Sequence, residues 1–199
     1  MSTRAMKGLL SALGKEAGKA IQRPAEPRVV MEEFCKAMTA RTGRPIQLVF
    51  RSFPADIPVS GMRLDCGDYS IIVVEERAVP DSQLVILGHE LYHEEQGECS
   101  HGISAAARSL TTEQTPDMLQ RAAEQILSSQ EVPREALMAF AARADSADEH
   151  EVEAETFGLL FGREVRTWIT GRHAKGPVTP STVEGRIELS MTNRRGHLL

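Results

Sequence analysis

Long apolar runs are missing from this 199-residue chain. No stretch reaches the roughly 18 apolar residues of a membrane span. The amino terminus also lacks the continuous apolar core of a secretory signal, so an intracellular, cytoplasmic protein is expected. Cysteine is scarce: Cys35, Cys66 and Cys99 are scattered, odd in number and in no C-x-x-C pair. That excludes a disulfide framework and fits a reducing compartment. Positive charge is in deficit, with a net charge of −5, which argues against a general nucleic-acid binder. Internal repeats are absent. The deficit is uneven, because residues 1 to 28 carry six Lys/Arg against two acids and so stand at +4, leaving −9 for the remainder.

What is present has the proportions of a soluble globular chain, 41% hydrophobic and 26% charged, long enough for one domain with a real core. Met6, Leu9, Leu10, Leu13, Ala17 and Ile21 recur at helical spacing, which predicts a basic amphipathic helix over 4–21. Pro24 and Pro27 mark a linker, and a second helix starts near Val29 and stops near Gly43. From Ile46 the apolar period becomes two. Three strand-like runs follow, 46–51, 59–64 and 69–75, read as a small antiparallel sheet.

The next segment organises the rest. Pro80 and Asp81 read as a helix start, with Asp81 as the N-cap acceptor. Leu84, Leu87 and Leu91 then form one stripe, while His89 and His93 project from roughly the opposite side. His89-Glu90-Leu91-Tyr92-His93 matches H-E-x-x-H, in which two histidines one turn apart hold zinc and the glutamate beside them acts as general base. Residues four apart on a helix have Cβ atoms about 5–6 Å apart, close enough for two imidazoles to converge on one ion. Glu90 points about 100° away from His89, so it flanks the metal instead of ligating it.

A catalytic zinc site needs three protein ligands and an open position. The metzincin continuation fails here, since Gln96 stands where its glycine belongs and Cys99 where its histidine belongs. A glutamate from a second helix is the alternative. A capping-box pattern at Ser146-Ala147-Asp148-Glu149 opens a helix expected to run to about Trp168. Its Glu151, Glu155, Gly158 and Gly162 share a stripe. Two glycines inside a helix imply a close backbone neighbour, which would bring Glu151 to the metal and leave Glu155 for a hydrogen bond to a ligand histidine. Cys99, His101 and His150 are rival ligands, and His101, His150 and Tyr69 are candidate oxyanion donors.

The pairing of H-E-L-Y-H after a strand with E-x-x-A-x-x-F-G some sixty residues later resembles the ImmA/IrrE-type metallopeptidases, closest to those described as toxin components of toxin-antitoxin systems. The resemblance implies zinc ligands at His89, His93 and Glu151, the base at Glu90, and a gluzincin-like core. It implies regulatory proteolysis of a protein partner such as a helix-turn-helix repressor or antitoxin. Two departures stand out: Glu155 replaces the family's asparagine, and the long gap makes residues 104–143 a candidate lid. The expected architecture is α+β: a basic N-terminal helix over 1–24, a mostly helical zincin-like domain over 27–171 with a three-stranded antiparallel sheet on the H-E-x-x-H helix, and a polar tail over 172–199. Two rival readings share these residues: a non-catalytic zinc protein that sequesters a DNA-binding partner, and a metal-free helical protein with a fortuitous motif.

Overall fold

A computed structural model describes residues 1–53, 60–97 and 148–170, with the side chains of 148–150 and 170 left out. The candidate lid over 104–143 and the polar tail over 172–199 lie outside the described residues. Four helices and three strands are described: α1 (Thr3–Ala17), α2 (Pro27–Thr42), β1 (Ile46–Arg51), β2 (Gly61–Asp65), β3 (Ser70–Glu75), α3 (Pro80–Gln96) and α4 (Asp148–Thr170). The fold is α+β, and no described helix is long and apolar enough to cross a membrane.

α1 begins where the Ser2 hydroxyl accepts a hydrogen bond from the Ala5 amide, and its stripe of Met6, Leu9, Leu10, Leu13 and Ala17 is buried. It ends four residues earlier than periodicity suggests. Gly18 and Lys19 turn the chain through backbone bonds to Gly14 and Glu16, and Ile21 is buried beyond that turn. α2 places Pro27 in its first turn and stops at Gly43, whose φ of 75° suits a residue without Cβ. Phe34 of α2 meets Phe161 and Trp168 of α4 at ring-centroid distances of 4.8 and 5.0 Å. The apolar faces of α1, α2, α3 and α4 therefore share one core.

The sheet corrects the antiparallel expectation. Its strand order is β1-β3-β2, with β1 parallel to β3 and only β2 antiparallel to it. The cause lies in the composition of β3. Ile71, Ile72, Val73 and Val74 are all fully buried, and such a run belongs at the centre of a sheet, hydrogen-bonded on both sides. The chain leaves β1 and returns as β2, and β3 then inserts between them. The β2–β3 turn at Cys66-Gly67-Asp68, with Gly67 at φ 83°, keeps that pair antiparallel.

Glu75 pins the place where these segments meet. Its carboxylate accepts bonds from the Phe53 amide at 2.9 Å and from the Arg77 amide and guanidinium at 2.8 and 3.0 Å. These donors, Arg77 foremost, hold its pKa down at about 2. A depressed carboxyl adds stability above its unfolded value, near 4.5, that is lost as pH falls toward 2. Unfolding of wild type and Glu75→Gln from pH 6 to 2 is expected to show a gap that closes across that window. A constant gap would assign Glu75 a packing role only.

Candidate metal centre

α3 starts at Pro80, with Val79 as its N-cap and no side-chain capping bond, so Asp81 is not the cap that the sequence suggested. Proline suits the first helical position because the helix needs no amide hydrogen there. Asp81 instead sits in the first turn and pairs with Arg166 of α4 at 3.1 Å. The helix ends at Gly97, with φ 64°, so all of His89 to Glu94 lies in regular helix.

Three glycines let α3 and α4 approach closely. A Cβ added at Gly158 would stand 2.8 Å from the Val85 carbonyl oxygen and 3.3 Å from the His89 amide nitrogen. One at Gly162 would stand 2.6 Å from Val85 Cγ2. From the other side, one at Gly88 would lie 2.6 Å from Phe161 Cβ. The Tyr92 hydroxyl also donates to Glu153 at 2.5 Å.

This approach sets Glu151 against the histidine pair. His89 Nε2 and His93 Nε2 are 3.2 Å apart. Glu151 Oε2 lies 3.5 Å from the first and Oε1 3.3 Å from the second. All three residues are buried, and their ligand atoms lie within 4.8 Å of one another, an arrangement that could hold a metal ion. The decisive detail is the carboxylate: neither oxygen of Glu151 has a hydrogen-bond donor among the described residues. A buried carboxylate without donors is costly, and a cation between it and two imidazole nitrogens removes the cost. The residues therefore fit the ion that their motif implies.

Glu90 is 2% exposed and turns toward the start of β2, where a Cβ on Gly61 would come within 2.8 Å of its Oε1. Burial, then the Glu151 carboxylate, push its pKa well above the usual carboxylate range, against the opposing pull of Arg63. Of the other expected participants, Glu155 is half-buried one turn along α4, and Tyr69 meets Cys66 in the β2–β3 turn. Cys99, His101 and the side chain of His150 lie outside the described residues.

Sequence reasoning missed the polar group behind the metal helix. Arg63, fully buried on β2, pairs with Glu94 at 3.1 Å, and the Ser70 hydroxyl donates to the same carboxylate at 2.7 Å. The available signal was an arginine inside the apolar strand Gly61-Met62-Arg63-Leu64, where a charge needs a buried partner. Arg63→Met leaves Glu94 with the Ser70 hydroxyl and the more distant Arg44, 3.9 Å away, so the loss is expected to reach at most the roughly 3–5 kcal/mol of a broken buried pair. Denaturant unfolding should show that loss, and Arg63→Met/Glu94→Gln should recover part of it. Equal stability of Arg63→Met and wild type would mean that the pair adds nothing.

No family model, no curated protein and no solved structure matches the chain. The chemistry of this centre rests on its own residues.

Proposed function

We propose that the chain is a zinc-dependent endopeptidase of the ImmA/IrrE type, working in the cytoplasm on a protein partner such as a helix-turn-helix repressor or antitoxin. One observation carries the reading: the convergence of His89, His93 and a donor-free Glu151 around a single buried point. Two imidazoles and one carboxylate are the donor set of catalytic zinc in one large class of peptidases. Zinc bound there supplies Lewis acidity, polarising a carbonyl and making water a usable nucleophile near neutral pH. With that ion in place, Glu90 would take a proton from the attacking water and pass one to the leaving nitrogen. Its burial, at 2% exposed, would keep this transfer away from bulk water.

The reading in which zinc is retained without catalysis has one observation in its favour. The side chains of His93 and Glu151 are only 1% and 2% exposed, and that of His89 only 11%. Purified wild type, assayed for zinc and incubated with a helix-turn-helix repressor and with an unfolded protein, separates the two. One zinc per chain with fragments from either substrate supports the peptidase. One zinc with both substrates intact supports the sequestering protein, and no zinc ends both readings.

A further inference from the structure

Between α1 and the stretch Leu160 to Trp168 opens a cleft of about 500 Å³. Its lining carries four cations, Lys7, Lys15, Arg23 and Arg163, against one acid, Glu164. In a chain with a net charge of −5 this is a local reversal of sign. Lys7, Ser11 and Lys15 stand one helical turn apart on one stripe of α1, and all three are exposed. The small residues Ser11 and Gly14 leave the space between the lysines open. Arg163 closes the rim from α4, and Arg23 stacks over the Trp168 indole, 2.9 Å from its centroid. Lys7, Lys15 and Arg163 have no ion-pair partner among the described residues, although acids are more numerous than cations in this chain. Leu10 and Leu160 add apolar wall beneath them.

We propose that this cleft binds a small organic polyanion of nucleotide size, its charged groups held by Lys7, Lys15 and Arg163 and its apolar part against Leu10 and Leu160. The four cations around one cleft make its local potential positive, and a multivalent anion with several charged groups can meet more than one of them at once. The volume falls within the range of about 300–1,000 Å³ typical of small-ligand sites, and an apolar wall with a few placed charges is their usual lining. A ligand there touches both α1 and the helix that carries Glu151. The proposal stands apart from the peptidase reading, since none of its residues belongs to the metal centre.

Titration calorimetry with magnesium-free ATP tests it, beside adenosine, tripolyphosphate and a glutamate-rich peptide. Wild type should bind ATP more tightly than adenosine or tripolyphosphate, with an affinity that falls as salt rises. Lys7→Glu/Lys15→Glu, both exposed positions, should keep its thermal midpoint and lose about tenfold or more in affinity, a factor of ten being about 1.4 kcal/mol. His89→Ala should bind ATP as wild type does, which separates this cleft from chelation at the metal centre. Absent binding, unchanged binding in the lysine variant, or loss in His89→Ala would overturn the proposal. Tripolyphosphate or the peptide binding as tightly as ATP would also overturn it, in favour of an inorganic anion or an acidic protein segment.

Discussion

Glu90→Gln is expected to reduce peptide-bond cleavage by about 10²- to 10⁴-fold, the usual worth of a positioned general base, while zinc stays near one per chain. The amide keeps the shape of the carboxyl and removes its capacity to accept a proton. Because Glu90 is not among the three converging ligands, metal content should not follow activity. Stability should move the opposite way. Glu90 is buried beside the Glu151 carboxylate, and one of its own oxygens lacks a donor among the described residues. With zinc chelated from both proteins, replacing it by a neutral amide removes that repulsion, so the metal-free variant should melt at or above metal-free wild type. Cleavage of the same substrate at equal rates by both proteins would remove Glu90 from the chemistry.

Glu151→Ala should weaken zinc binding by more than the roughly 10- to 100-fold that loss of an outer-sphere partner costs, because an inner ligand is lost. A second signature separates this from simple unfolding. Without metal, wild type buries a carboxylate whose two oxygens have no donor among the described residues, whereas the alanine variant buries none. The metal-free variant should therefore be at least as stable as metal-free wild type, and zinc should raise the melting temperature of wild type alone. Calorimetry with and without a chelator, beside metal analysis, reads both effects. Stoichiometric zinc retained in Glu151→Ala would move the third ligand to Cys99, His101 or His150.

Much of this centre was legible in the chain because helical spacing carries the information. Histidines four apart must share a face, and Gly158 and Gly162 on the stripe of Glu151 signal a close neighbour before that neighbour is known. The partner glycine, Gly88, left no such signal, since a single glycine in a helix has many causes. Asp81 shows the limit of local rules. Its type and its place after a proline suit a cap, yet Pro80 itself serves as the first helical residue and frees the aspartate to pair with Arg166. Arg63 left a signal as a charge inside an apolar strand, but its partner Glu94 was illegible for the same reason, because their contact spans a strand and a helix.

The sequence by itself determined the periods: which segments coil, which extend, and which side chains share a face, because those follow from the 3.6- and 2-residue geometry of single elements. Tertiary structure alone decided that β3 lies between β1 and β2, that Arg63 backs the metal helix, and that lysines of α1 meet Arg163 of α4 across a cleft. The physical reason is that these arrangements depend on which apolar faces bury against one another. That choice is settled by the whole core together and is written in no single stretch of residues.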